Sequence, residues 1–200
     1  KVLGLSNSEA ANLSLLSRAQ GKNTEDILND ATKTVGVFNK QNGLAINARG
    51  ILSDVADVSK AIQVSLGNNP IALAEAATAA KALGLSLNEV DQIAGSLLNF
   101  EENIAAQMQF EILSGKQINL EKARTLAMNN DMVGLTNEIK NNAALTETFT
   151  SGTRFEQEAA AAVLGKSREE MALMVQKTQF LKLGQEEYNA AFGEGTYEQM

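Results

Sequence analysis

Three kinds of residue in this sequence have side chains that could do chemistry: paired carboxylates, glycine–lysine steps and scattered aspartates. Glu101-Glu102, Glu169-Glu170 and Glu186-Glu187 offer the groups used for general acid and base work, as in glycoside hydrolysis. Neighbours on a helix point about 100° apart, however, so neither acid of a pair reaches the bond its neighbour faces. A solvated or ion-paired face is the better account of these pairs. Gly21-Lys22 and Gly115-Lys116 lack the upstream glycine and the preceding strand of a phosphate loop. Asp54, Asp57 and Asp91 lack calcium-loop spacing. With no His and no Cys in 200 residues, imidazole bases, thiolate nucleophiles, disulfides and nearly all transition-metal sites are excluded. The expectation is a non-enzyme with no catalytic residue, no cofactor and no metal ligand.

Composition narrows the class further. The net charge of −7, with 17 basic residues scattered along the chain, argues against a phosphate-binding surface, since nucleic-acid affinity rests on clustered Lys and Arg. No stretch approaches the roughly 18 uninterrupted apolar residues of a membrane-spanning helix. Aromatics make up 4% of the chain and Trp is absent, so a core must be built from small and medium aliphatic side chains. Proline occurs once, at Pro70, and this scarcity of breakers lets long helices run. The start at Lys1, without Met, reads as a fragment of a larger polypeptide.

The elements that must position these residues are helices, and their connectors are the clearest local signal. Leu3-Gly4-Leu5-Ser6 leads to Glu9, Leu83-Gly84-Leu85-Ser86 to Glu89, and Leu164-Gly165-Lys166-Ser167 to Glu170. In each, Gly closes one helix in the left-handed conformation, and a Ser-x-x-Glu capping box opens the next. The structural residues are therefore Ser6, Glu9, Ser86, Glu89, Ser167 and Glu170. The glycines lie 80 and 81 residues apart, compatible with a duplicated unit but also with reuse of one good connector. Apolar spacing predicts helices over 6–19, 24–39, 48–65, 70–82, 87–113, 120–129, 131–140, 152–163 and 168–192. The run 87–113, about 40 Å long at 1.5 Å per residue, reads as the central element, weakened at Gly95. The alanines of 72–80 predict a helix able to pack closely against another. Thr34-Val35-Gly36-Val37-Phe38 is the one β-leaning run and is assigned to a helix. Arg124 is expected either to pair with Glu101, Glu102 or Glu121 or to stand exposed. Met108, Met128, Met132, Met171 and Met174 read as adaptable core filler, with a partner-binding groove as the alternative. The fold expected is all-α: an elongated array of amphipathic helices joined by Gly/Ser-type connectors, with one long central helix. Its segments are 1–66, 67–145 and 146–200.

Three segments, read in order, resemble bacteriophage tail tape measure proteins: Ala80-Lys81-Ala82-Leu83-Gly84-Leu85-Ser86, Ser96-Leu97-Leu98-Asn99-Phe100-Glu101, and Leu113-Ser114-Gly115-Lys116-Gln117-Ile118-Asn119-Leu120-Glu121-Lys122-Ala123-Arg124. Downstream, Ala159 to Met171 is similar to the family's helix, Leu-Gly step, polar cap and acidic restart. The likeness covers about Ala72 to Gln179, and its motifs are patterns of helix connection. It implies a structural virion protein lying in the tail lumen and baseplate that sets tail length and is released on DNA ejection. It also implies coiled-coil-like self-association, as a homotrimer, and contacts with tail tube and baseplate hub proteins. A cellular helical adaptor or secretion-system module, and a cell-wall hydrolase fragment, are the competing readings.

Overall fold

Most helices here start where a short polar side chain can take up an orphan backbone amide. The computed structural model describes residues 6–44 and 46–181, which form twelve helices and no strand. In chain order these are α1 (Asn7–Gln20), α2 (Thr24–Asn42), α3 (Ala48–Asp57), α4 (Lys60–Ser65), α5 (Pro70–Ala82), α6 (Leu87–Leu98), α7 (Phe100–Ser114), α8 (Glu121–Met128), α9 (Met132–Lys140), α10 (Ala143–Ser151), α11 (Arg154–Val163) and α12 (Arg168–Phe180). The side chains of Asn23, Asn47, Ser59, Asp131 and Asn142 each accept a first-turn N–H, a contribution of typically ~1 kcal/mol per cap. The β-leaning run 34–38 lies inside α2, where Ile27, Leu28, Ala31 and Val35 form one buried helical stripe.

The chain divides into two units. The first comprises Lys1–Ala82, Ser86–Asn88 and Thr178–Met200. Its centre is α5, which packs against both α2 and α3. Ala74, Ala76, Ala77, Ala79, Ala80 and Ala82 are all buried, because methyl-sized side chains let two neighbours approach one helix. Pro70 opens α5 where its missing N–H costs nothing, and Asn69 accepts from the N–H groups of Ile71 and Ala72. Lys81 of α5 pairs with Asp54 of α3 at 3.0 Å. The second unit comprises Leu83–Leu85 and Glu89–Lys177. In it α7 lies against α11, α10 against α11, and α8 against α9.

This architecture corrects the expected elongated array with one long central helix. Helices far apart in sequence pair within each unit, α2 with α5 and α7 with α11. The expected helix 87–113 is two, separated at Asn99, whose backbone leaves the helical region (φ −78°, ψ 78°). Gly95 is not the break. Asn99 instead begins a new helix whose first turn carries Glu101 and Glu102, acids that favour a helix N-terminus. The expected helix 48–65 also divides, with Val58 extended and Ser59 capping α4. α10 went unread in the sequence because its Thr-rich run has weak helix propensity, and burial of Leu145, Thr148 and Phe149 secures it. The connector at Gly4, the pair Glu186-Glu187 and the end of the expected helix 168–192 lie outside the described residues.

Inside the second unit the two Leu-Gly connectors are fastened reciprocally. Gly84 (φ 71°) lies so close to α12 that a Cβ would stand 2.6 Å from Lys177 Cβ and 2.9 Å from the Met174 carbonyl oxygen. Gly165 (φ 65°) lies so close to α6 that a Cβ would stand 2.5 Å from Ser96 Cβ. Each position needs Gly twice over, for its positive φ and for the close approach.

Candidate functional site

The segment 113–124 is built around a row of polar side chains on α7. Asn103, Gln107 and Glu111 follow one another at four-residue spacing, so they share a helix face. Gly115 ends α7, its N–H bonded to the Glu111 carbonyl, and the chain turns back beneath that row. Gln107 donates through Nε2 to the Ile118 carbonyl at 2.8 Å and to Glu111 Oε1 at 3.1 Å. The Ile118 N–H donates to the same Glu111 oxygen at 3.2 Å. These two hydrogen bonds hold the Glu111 carboxyl below the usual glutamate range, Gln107 contributing most. Ile118 and Leu120 are thereby carried into the core.

Arg124, one turn into α8, closes the arrangement. Its Nη2 donates to Asn103 Oδ1 at 2.7 Å and to Gln107 Oε1 at 3.0 Å, while Nε reaches Asn103 Oδ1 at 3.2 Å. Asn103, 2% exposed, passes the chain on, donating from Nδ2 to the Val163 carbonyl at 2.9 Å. That carbonyl is at the C-terminus of α11, where helix acceptors have no intrahelical partner. One network thus ties α8, α7 and α11 together. The partners expected for Arg124 were carboxylates; the structure gives it two amide oxygens. Glu101, Glu102 and Glu121 stand exposed instead, and Glu102 accepts from Asn99 Nδ2 at 2.7 Å. Asn103 and Gln107 carried a legible signal, uncharged amides at helical spacing from each other, but nothing local tied them to Arg124.

The six capping residues fall at helix starts. The Glu9 N–H donates to Ser6 Oγ at 3.2 Å, and the Ser6 N–H to Glu9 Oε2 at 2.5 Å. Ser53 also donates to Glu9, and its hydroxyl is the leading cause that lowers this carboxyl below the ordinary range. The Ser167 N–H donates to Glu170 Oε2 at 2.7 Å and the Glu170 N–H to Ser167 Oγ at 3.2 Å, which lowers Glu170 in turn. Ser86 directly precedes α6 and Glu89 stands in its first turn. A further box, Thr153 with Glu156, opens α11 and was signalled by Thr-x-x-Glu. Of the methionines, Met132, Met171 and Met174 are buried, whereas Met108 and Met128 are exposed.

Among the described residues no three acidic side chains converge to hold a metal ion, and no helix is long and apolar enough to cross a membrane. A pocket lined by Leu97, Leu120, Ala123, Ile139, Leu145 and Leu164 has a volume of only ≈ 10 Å³, space for about one water molecule. The hydrogen bonds of Arg124 and Asn103 fix one helix turn of α8 against α7 and α11, charge-assisted at the guanidinium. No protein-family model, curated protein or solved structure matches the chain.

Proposed function

We propose that this chain is a structural, non-enzymatic part of a bacteriophage tail, of the tape measure kind, acting by helix packing in the tail lumen and baseplate. The observation that carries the reading is the resemblance of segments 80–86, 96–101 and 113–124 to that family. In the structure the residues of the third segment join helices. Gly115 ends α7, Ile118 and Leu120 fill the core, and Arg124 locks the turn through Asn103 and Gln107. An acidic chain is also suited to leaving a tube ahead of DNA, because like charges resist adhesion.

The test is the protein content of purified virions and the density of the assembled tail. Peptides of this chain in tails, with helical density in the lumen or hub, are the expected result. Detection only in uninfected cells would overturn the reading in favour of a cellular adaptor. A cleared band on peptidoglycan zymography, abolished by Glu101→Gln or Glu102→Gln, would overturn it in favour of a hydrolase.

A further inference from the structure

Asn42-Gly43 is the sole Asn-Gly step in the sequence, and it falls on the last residue of α2 and its C-cap. An asparagine followed by glycine is prone to lose its side-chain amide, because no Cβ hinders the next backbone nitrogen from closing on the carboxamide carbon. Both residues are exposed, so water and hydroxide reach the step. The structure nevertheless holds the reacting groups apart. The Gly43 N–H, whose nitrogen would attack, is bonded to the Asn39 carbonyl, and the Leu44 N–H donates to that same carbonyl at 3.1 Å. The Asn42 carboxamide is folded back along its own helix, donating from Nδ2 to the Phe38 carbonyl at 3.0 Å. Ring closure needs the Asn42 Cα–C bond to leave the helical region, so the last turn of α2 must open first.

We infer that Asn42 is a modification site, converted through a cyclic imide to aspartate and isoaspartate, and that the last turn of α2 governs its rate. Hydroxide takes the Gly43 amide proton, the nitrogen bonds to Asn42 Cγ, and the Cγ–Nδ2 bond breaks to release ammonia. Water then opens the ring. Cleavage at Cγ leaves aspartate; cleavage at the main-chain carbonyl leaves isoaspartate, with the backbone running through Cβ and Cγ. Either product sets a negative charge at the C-terminal end of α2, where the helix dipole disfavours it. Isoaspartate also adds one carbon to the backbone ahead of Ile46. That buried residue is clasped by Asn39 at both main-chain groups, its N–H donating to Asn39 Oδ1 at 3.0 Å and its carbonyl accepting from Asn39 Nδ2 at 2.8 Å. The conversion therefore loosens the entry to α3. It is a property of the α2 terminus and stands independently of the tail reading.

The test is peptide mapping of the full chain held in warm, mildly alkaline buffer, folded and in guanidinium chloride, following the mass gain of amide-to-acid conversion and the fragment pattern of isoaspartate. In denaturant Asn42 should convert ahead of every other asparagine. In the folded chain its conversion should be slower by roughly tenfold or more, reflecting the hydrogen bonds that the last turn must give up. Asn39→Ala removes the clasp on Ile46 and should speed the folded-state conversion severalfold, with helical circular dichroism retained. Denaturant short of the unfolding transition gives the same readout without a substitution. Asn42→Gln should abolish the mass gain in that peptide. The inference is overturned if another asparagine leads in denaturant, if the folded chain converts at Asn42 as fast as the unfolded one, or if neither Asn39→Ala nor dilute denaturant changes the folded rate.

Discussion

Arg124 shows how one side chain can hold a turn without a countercharge. Replacing it by Met leaves Asn103 Oδ1 buried without its donor, and such an orphaned acceptor costs about 1–3 kcal/mol. Urea unfolding of Arg124→Met should therefore show a lower midpoint with an unchanged slope. Arg124→Lys should recover part of the loss, because a lysine cannot present the same fork of donors. The carboxylates give a second expectation. Glu9, Glu111, Glu156 and Glu170 all lie below the ordinary glutamate range, chiefly through hydrogen bonds. The unfolded chain takes up their protons first on acidification. Their stabilisation is thus complete above about pH 4.3, the unperturbed glutamate value, and is lost as pH falls through the lower folded values. Melting temperature should be steady from neutral pH down to that point and fall below it, and Glu111→Gln should flatten part of the decline. At this scale the sequence was legible wherever the partners were local. Ser6 with Glu9 and Ser167 with Glu170 were readable because three residues separate donor from acceptor. The partners of Arg124 lie 17 and 21 residues away, and only the fold brings them near.

Helix existence was largely readable from apolar spacing, and helix interruption was not. The run 87–113 keeps its periodicity across Asn99, so pattern alone fuses α6 and α7; the polar triplet Asn99, Glu101 and Glu102 is the signal of a restart. The glycines separate the two scales clearly. Gly95 has open space where a Cβ would stand, so Gly95→Ala should stabilise the protein by ~0.5–1 kcal/mol. Gly165→Ala should destabilise it by at least ~1–2 kcal/mol, the cost of a side chain in the left-handed region, with the collision against Ser96 added. Ser96→Gly should recover the collision and leave the backbone cost, and a double-mutant cycle by thermal melting measures that coupling. Equal effects of Gly95→Ala and Gly165→Ala would refute this account.

For the whole molecule, pairing of distant helices was the least legible feature, since α2 with α5 and α7 with α11 depend on which faces remain after local packing. The fastening of the connectors has a consequence of its own. Ser96 and Lys177, the residues gripped, each lie twelve positions beyond a connector glycine, and each grips the glycine of the other connector. Leu83, Leu85, Val90 and Ile93 are buried, and so are their counterparts 81 positions on, Leu164, Lys166, Met171 and Met174. Each connector glycine is therefore seated against the helix that follows the other, and the same twelve-residue offset serves both contacts.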